Sequence, residues 1–268
     1  MSIKYEKWIA QHGISYENEE VKEARFQIFK DNVRHIEKHN QEGNHTYKLG
    51  INEFADLTNE EFLAKYAISS MSSFKVVSSN QSSFEYKNLK NVAPSLDWRD
   101  HNAVTAVRNQ GSCGCCFIFS AVTALEGLEA ILSGNLIELS KQHILDCNYD
   151  HEACKGGRQD HAFEFVIKNG GLASEIDYPY TGIPGACANN KPSSLSSKIT
   201  SFDWECESNV NHGVAVVGYG ESERVKFWLV KNSWGTGWGE DGYVRLQRNV
   251  DAKEGMCGIA KFGCYPIV

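Results

Sequence analysis

The stretch that decides the fold is Gln110-Gly-Ser-Cys113-Gly-Cys115-Cys116-Phe-Ile-Phe-Ser-Ala121. This glycine-containing turn leads directly into an apolar run without proline, which predicts a buried helix from Cys116 to about Leu132. The first turn of a helix presents unpaired N–H groups and a partial positive charge, which favour a thiolate and lower the cysteine pKa. The sequence therefore predicts a nucleophilic cysteine at position 116.

Two later segments supply the groups that such a thiolate needs. His212 opens the run His-Gly-Val-Ala-Val-Val-Gly-Tyr-Gly, and Asn232 lies in Leu-Val-Lys-Asn-Ser-Trp-Gly-Thr-Gly-Trp-Gly. In acyl transfer by a thiolate, an imidazole takes and returns the proton while a third group fixes the orientation of the imidazole. An isolated histidine at the head of an apolar strand is usually structural, but the two flanking motifs favour a catalytic role.

Together these segments resemble the papain family of cysteine peptidases, whose signature at the nucleophile is C-G-[SA]-C-[WY]. Cys115 stands where Ser or Ala is usual, and Phe117 where Trp or Tyr is usual. The resemblance implies an α+β, papain-like fold of two halves, one helical and one a shortened β-barrel-like half, with the active site in the cleft between them. It implies Cys116 as nucleophile, His212 as base and acid, Asn232 as orienting group and Gln110 as side-chain donor to the oxyanion.

The resemblance also implies a substrate-binding set. Substrate would lie as an extended strand against a glycine pair, which permits close approach, and a tryptophan would shield the His–Asn hydrogen bond from water. The pocket for the second substrate residue is usually apolar in the family, whereas two residues of the set are polar here and a phenylalanine would make the pocket shallow. The set is Gly156, Gly157, Arg158, Gln159, Asn211, Gly213, Trp234 and Phe262.

An inhibitory propeptide is predicted ahead of this domain. Apolar residues recur at three- and four-residue steps over residues 17–40, which predicts an amphipathic helix. The helix resembles the first propeptide motif of papain-type zymogens, except that Val21 replaces the usual Glu, and residues 50–56 match the second motif in full. The residues that carry the first motif are Arg25, Ile28, Phe29, Asn32, Ile36 and Asn40.

Domain boundaries follow from composition and from the resemblance. We expect an inhibitory propeptide at residues 1–68, a serine-rich linker at 69–91, and a peptidase domain at 92–268 whose helical half ends near residue 200. Two more helices are predicted, and then three strands among glycine turns. The helices are 140–147 and 159–168, and the strands are 214–217, 227–230 and 243–246.

Composition narrows the possible functions. The net charge is −7, and residues 92–268 carry six of those excess negative charges, which disfavours nucleic acid as a partner. No run of 18 apolar residues predicts a membrane span, and the N-terminus lacks the apolar core of a secretory signal. The resemblance implies protein or peptide substrates, the chain's own propeptide and cystatin-like inhibitors as partners, a monomer, no cofactor and no metal. It also implies a vacuolar, lysosomal or extracellular location.

Nine cysteines indicate an oxidising compartment and a disulfide framework. By resemblance the expected bonds are Cys113 with Cys154, Cys147 with Cys187, and Cys206 with Cys257, although six cysteines allow 15 pairings. Cys115 and Cys264 are then left over. An alternative zinc site at residues 147–154 has suitable spacing but lacks a fourth ligand. Cys115 could also pair with Cys116 as a strained vicinal disulfide.

The resemblance is incomplete in one interval. His212 follows Cys116 by 96 residues, whereas the family spacing is roughly 130 to 150. Some 35 to 55 residues are therefore expected to be missing between Cys187 and His212, and their loss would expose core surface. Three functions remain open: an active endopeptidase made as a zymogen, a catalytically silent relative, and an inhibitor-like protein that acts on intact relatives through residues 1–68.

Overall fold

The structure is a computed structural model. It describes residues 1–43, 45–67, 90–150, 152–187, 195–206 and 210–268, with the backbone alone described for residues 204–206. Residues 69–89 of the expected serine-rich linker therefore lie outside the described residues.

The N-terminal region is helical: α1 spans Ser2–His12, α2 Glu19–Glu42 and α3 Asn59–Tyr66. The predicted helix at 17–40 is confirmed as α2, which begins where the Asn18 side chain accepts a hydrogen bond from Val21 N. The sequence analysis missed α1 and α3. The start of α3 has a recognisable signal, because Thr58 and Glu61 form a reciprocal capping box.

The polar motif residues of α2 hold the second motif in place. Asn32 Nδ2 donates to the carbonyl oxygens of Ala55 and Leu57 at 2.8 and 2.9 Å. Arg25 donates to Asp56 O and forms an ion pair of 2.7 Å with Glu61. The spacing of these residues along α2 therefore reflects the need to fix the turns at residues 53–57.

The helical half of the peptidase domain contains α4 (Cys116–Ser133), α5 (Lys141–Cys147) and α6 (Gln159–Asn169), as predicted. Of the described helices, α4 has the length and apolarity needed to cross a bilayer. It lies instead at the centre of this half, where its side chains pack in one buried apolar cluster with residues of α5 and α6. A run of apolar residues on most faces of α4 thus produces a core helix.

The sheet half has a four-stranded sheet and a separate two-stranded ladder. The strands are β1 (Leu96–Asp97), β2 (Ser201–Cys206), β3 (Ala215–Ser222), β4 (Val225–Lys231), β5 (Tyr243–Gln247) and β6 (Phe262–Ile267). Neighbours in the sheet are antiparallel in the order β1-β3-β4-β5, and β2 pairs with β6. The three predicted strands are confirmed as β3, β4 and β5, whereas β1, β2 and β6 were missed. Phe202 of the ladder packs on Phe163 of α6 at 5.7 Å between ring centroids.

An open cavity of about 2360 Å³ lies between part of α4 and the sheet half. Strand β3 pairs with β4 on one side, whereas on its other side β1 pairs with it at two positions, Gly218 and Tyr219. Among the described residues, the first residues of β3 therefore have a strand partner on the β4 side only. Val216 is 48% exposed and Ile131 51% exposed. Apolar residues of both halves line the cavity, among them Ala124, Leu128, Ile131, Val216, Phe227 and Phe262.

Two of the three expected disulfides are present: Cys113 bonds with Cys154, and Cys147 with Cys187. These bonds use both cysteines of the alternative zinc site and so exclude it. The expected Cys206–Cys257 bond is wrong for this structure, in which Cys257 is an exposed free thiol. The β2–β6 register places Cys206 opposite Phe262, five residues beyond Cys257. The side chain of Cys206 lies outside the described side chains.

Candidate active site

Cys116 is the first residue of α4, as the sequence predicted, and its side chain is completely buried. Its Sγ accepts a hydrogen bond of 3.2 Å from Gly213 N. Because Gly213 directly follows His212, this contact brings the helical half and the sheet half together at the thiol.

His212 and Asn232 form the second part of the site. His212 Nε2 lies 2.8 Å from Asn232 Oδ1, and the ring stacks on Trp234 with centroids 4.4 Å apart. The other ring nitrogen, Nδ1, is buried and has no hydrogen-bond partner among the described residues. The amide therefore fixes one edge of the imidazole, the indole covers one face, and the nitrogen left over is free to exchange a proton with a neighbour.

Gln110 lies beside the nucleophile with its side chain held at both ends. Its Nε2 donates to Cys113 O at 2.8 Å, and its Oε1 accepts from Ser233 Oγ at 2.6 Å. Each amide nitrogen carries two hydrogens, so one remains for a further acceptor. Ser233, which adjoins Asn232, was not predicted from sequence. It links the amide of Gln110 to the segment that carries Asn232.

Burial of the site favours the neutral forms of the Cys116 thiol and the His212 imidazole. Burial raises the pKa of Cys116 to about 11, against the effect of hydrogen bonds from backbone N–H groups that include Gly213 N. Burial also lowers the pKa of His212, opposed by its hydrogen bond to Asn232. The expected depression of the thiol pKa by the helix N-terminus is therefore wrong for the closed state, because desolvation outweighs it.

Cys115 points away from the site. Its Sγ lies 3.1 Å from Tyr180 Oη, and that hydroxyl donates to Gln110 O at 2.8 Å, so the thiol must be the donor of the first bond. Burial raises the pKa of Cys115 to about 12. Cys115 and Cys116 are separate thiols in the structure, engaged on opposite sides of the turn. The vicinal disulfide considered from sequence is absent.

The expected substrate strand has the required glycines. Gly156 has a φ of 125°, which L residues rarely adopt, and a Cβ at Gly157 would lie 2.4 Å from Cζ of Phe117. A side chain at either position is therefore disfavoured. Phe117 packs here in place of the usual Trp or Tyr and is completely buried.

Arg158 and Phe262 lie together. The Arg158 guanidinium pairs with Asp160 at 2.8 Å and lies 5.2 Å from the Phe262 ring centroid. Both charged side chains are buried. Arg158, which the sequence places in the wall of the pocket, is thus neutralised by Asp160 and covered by the Phe262 ring.

Gln159 and Gly213 occupy the floor between the halves. Gln159 Nε2 donates to Ser120 Oγ at 3.1 Å, and a Cβ at Gly213 would lie 2.8 Å from that same nitrogen. Asn211 is exposed at the edge of the site. Five of the eight residues expected in the substrate-binding set line the open cavity, namely Gln159, Asn211, Gly213, Trp234 and Phe262. The side chain of Gln159 is tied to α4 through Ser120.

The propeptide covers the site. Phe54 and Phe62 contact Trp234 edge to face at 5.5 and 5.2 Å between centroids. Ala67, just beyond α3, brings its carbonyl oxygen within 3.7 Å of the Cβ position of Gly114 in the nucleophile turn. The segment from Phe54 to Ala67 thus runs from the His212 side of the cleft to the Cys116 side.

Comparison with known proteins agrees with this architecture. Residues 92–203 and 195–267 match the papain family cysteine protease family, and residues 5–62 match the cathepsin propeptide inhibitor domain. A cleft with a thiol on one half, a His–Asn pair on the other and a propeptide across it defines a cysteine peptidase in its proform. The chain belongs to the papain family, and it is the zymogen of a cysteine endopeptidase.

Individual relatives are plant enzymes. Ananain of Ananas comosus is 38% identical over 304 residues that cover 99% of this chain and 88% of ananain. Vignain of Vigna mungo is 37% identical over 307 residues, which cover 98% of this chain and 84% of vignain. The structure resembles a recombinant stem bromelain precursor with a TM-score of 0.87 at 37% identity, covering 100% of this chain and 98% of that one. It resembles the proform of the ragweed pollen allergen Amb a 11 with a TM-score of 0.88 at 38% identity, covering 98% and 93%.

The comparisons also locate the missing interval. The ananain alignment spans 304 positions, whereas this chain has 268 residues, so at least 36 positions hold no residue of this chain. The two peptidase matches overlap at residues 195–203, which places the junction just before or within β2.

Proposed function

We propose that this chain, once its propeptide is removed, hydrolyses peptide bonds with Cys116 as the nucleophile. His212 is the general base and acid, and Asn232 orients it. The observation that carries the proposal is the 2.8 Å contact between His212 Nε2 and Asn232 Oδ1, which leaves Nδ1 unpaired among the described residues. The backbone N–H of the next residue, Gly213, donates to the Cys116 thiol.

The reaction follows the chemistry of these groups. The thiol proton moves to His212, and Sγ of Cys116 bonds to the substrate carbonyl carbon while the carbonyl oxygen gains negative charge. The N–H of Cys116 and the free hydrogen of Gln110 Nε2 stabilise that oxygen. The C–N bond then breaks, and the imidazolium gives its proton to the leaving amine. Water, deprotonated by His212, cleaves the thioester and restores the thiol.

Latency follows from burial. We propose residues 1–68 as the inhibitory propeptide, 69–91 as the cleaved linker and 92–268 as the peptidase domain. The contacts of Phe54 and Phe62 with Trp234 support this division, since they exclude water from the site. Removing the propeptide rehydrates the cleft and so favours the thiolate–imidazolium pair over the neutral pair.

Partners and location are proposed at the level that the family supports. The peptidase domain is a monomer that accepts protein or peptide substrates, and cystatin-like inhibitors bind in the cleft that the propeptide vacates. The two disulfides support passage through an oxidising compartment, with a vacuolar, lysosomal or extracellular destination.

Thiol labelling tests the catalytic assignment. The full chain is activated at acid pH and treated with iodoacetamide, and the labelled residue is identified by mass spectrometry. We expect Cys116→Ala to abolish the fast label and all turnover of a fluorogenic peptide, and Cys115→Ala to keep both. Fast labelling that survives in Cys116→Ala and disappears in Cys115→Ala would overturn the assignment.

A further inference from the structure

A buried polar network lies behind the proposed catalytic residues. Its members come from four parts of the chain, and each is less than 8% exposed. Glu126 belongs to α4, Lys141 to α5 and Lys231 to the end of β4, while Thr105 precedes the nucleophile turn. A glutamate inside the apolar α4 sequence is the one signal in the sequence that points to such a network.

The hydrogen bonds of the network form a continuous chain. Lys231 Nζ donates to Thr105 O at 2.9 Å and to Thr105 Oγ1 at 3.0 Å. Thr105 Oγ1 in turn donates to Glu126 Oε2 at 2.6 Å. Glu126 Oε1 accepts from Lys141 Nζ and from Leu139 N, both at 2.9 Å.

This chain connects the two sides of the proposed site. Lys231 immediately precedes Asn232, and Glu126 lies on the helix whose first residue is Cys116. Lys231 also pairs with Ala215 at the start of β3, three residues after His212. The ammonium of Lys231 therefore ties the segments that carry His212 and Asn232 to the helix that carries the thiol.

Keeping the Lys231 ammonium charged in this buried position costs free energy. Burial lowers the pKa of Lys231 to about 8; Glu126 and Glu138 act against that shift, whereas Lys141 and Arg108 add to it. Replacing buried charges with apolar side chains of similar volume is often neutral or stabilising. Stability of the fold therefore gives no sufficient reason for a lysine at this position.

We propose that Lys231 is a positioning residue, which sets the distance between the His212–Asn232 pair and Cys116 through Thr105 and Glu126. Such a link matters for β3 because its first residues, Ala215 and Val216, border the open cavity. The inference rests on the catalytic roles proposed above. It adds a residue that touches neither substrate nor thiol.

The test compares Lys231→Met with the wild type in the full chain after acid activation. The second-order rate of Cys116 alkylation by iodoacetamide is followed across pH, with thermal unfolding measured in parallel. A misplacement of about 1 Å can cost on the order of a hundredfold in rate, so a partial shift should slow alkylation about tenfold. The melting temperature should fall by much less than would account for the slower alkylation, since Lys231→Met leaves Thr105 O without this donor while Thr105 Oγ1 keeps its bond to Glu126. Lys231→Arg should restore part of the rate, and Lys226→Met, an exposed lysine on the same strand, should change neither quantity.

Each outcome is informative. Unchanged alkylation in Lys231→Met overturns the inference while leaving the catalytic assignment intact. Loss of rate in parallel with loss of folded protein, with no rescue by Lys231→Arg, shows a structural role and also overturns it. A wild type that alkylates no faster than a free cysteine peptide overturns the proposed function first, and with it the reactive geometry that Lys231 would position.

Discussion

The helical half and the sheet half of the peptidase domain are packed to different degrees. In the helical half, α4, α5 and α6 share one cluster of buried side chains that includes Phe117, Leu125 and Phe163. The sheet half faces a cavity of about 2360 Å³, and Val216 on β3 is 48% exposed. Cys116 is thus held by a complete core, whereas His212 and Asn232 are held by a sheet that lacks packing on one face. Reactive geometry depends on the less well packed half.

The difference has a local cause. The two papain-family matches overlap at a junction at residues 195–203, and β2 leads from this junction toward His212. The ananain alignment contains at least 36 positions with no residue of this chain. The apolar side of α4 that includes Leu128 and Ile131 therefore lies open to the cavity.

The largest effect is expected from restoring the missing segment. Inserting the corresponding residues of ananain after Asp203 should cover the cavity and fix β3, raising turnover of a fluorogenic peptide on the order of a hundredfold. The readout is turnover per active site, titrated with an epoxide label after acid activation. A glycine–serine insert of equal length is the matched control. Equal, rapid turnover by the wild type and the restored chain would contradict the idea that the open sheet half limits catalysis.

The helical half was also the easier half to predict from sequence. Cys116, the helix that follows it and two of the disulfides depend on local pattern and family spacing, and α4, α5 and α6 were found within two residues of their predicted ends. Three strands were predicted, but β1 has two residues and the β2–β6 ladder joins segments about 60 residues apart. Pairing between distant segments leaves little local signal. The short strand β1 and the β2–β6 ladder were therefore missed.

Within the site, residue types were predictable and their environments were not. Cys116, His212 and Asn232 come together as expected. The pKa of the Cys116 thiol is raised, whereas the sequence predicted that it would be lowered. The helix N-terminus acts on any cysteine at that position, but the burial that raises the pKa depends on the propeptide above it. Tyr180, Ser233 and Lys231 were missed because their roles depend on contacts between distant parts of the chain.

The second prediction concerns the propeptide as a support for the sheet half. The Phe62 ring contacts the Trp234 ring edge to face, with 5.2 Å between centroids. The centroid of Phe62 also lies 5.2 Å from that of Phe54. Aromatic pairs contribute about 0.5–1.5 kcal/mol beyond area burial, so Phe62→Ala should raise alkylation of Cys116 in the unactivated chain about tenfold. Leu63→Ala, at an exposed position on the same helix, is the control. If both variants alkylate at the wild-type rate, these aromatic contacts do not maintain latency.

The third prediction tests whether the well-packed helical half is sensitive to acid. Burial lowers the pKa of His143, whose Nδ1 accepts from Ala173 N at 3.2 Å. Its folded-state pKa lies below the unfolded value, so the unfolded chain binds the proton first and stability falls as pH drops through about 6.5. His143→Gln should reduce the loss of unfolding free energy between pH 7 and pH 5, because glutamine takes up no proton over this range.

Urea unfolding in a Cys116→Ala background prevents self-cleavage during this measurement. His35→Gln is the control, because His35 is exposed on α2 in the propeptide. If His143→Gln loses as much stability on acidification as the control does, His143 is not a source of the acid sensitivity.

The smallest effect on folding is expected at the cavity rim. Val216 lies on the part of β3 without an outer strand partner, and such an edge can pair with another chain. Val216→Lys should change the unfolding free energy by no more than about 0.5 kcal/mol, as is usual for surface substitutions, while reducing self-association.

Ile176→Lys provides the comparison, since Ile176 is 91% exposed in the helical half, away from the cavity. Light scattering at rising protein concentration distinguishes the two. A larger reduction from Ile176→Lys would show that exposure alone drives association, whereas an effect confined to Val216→Lys would assign it to the open edge of the sheet half.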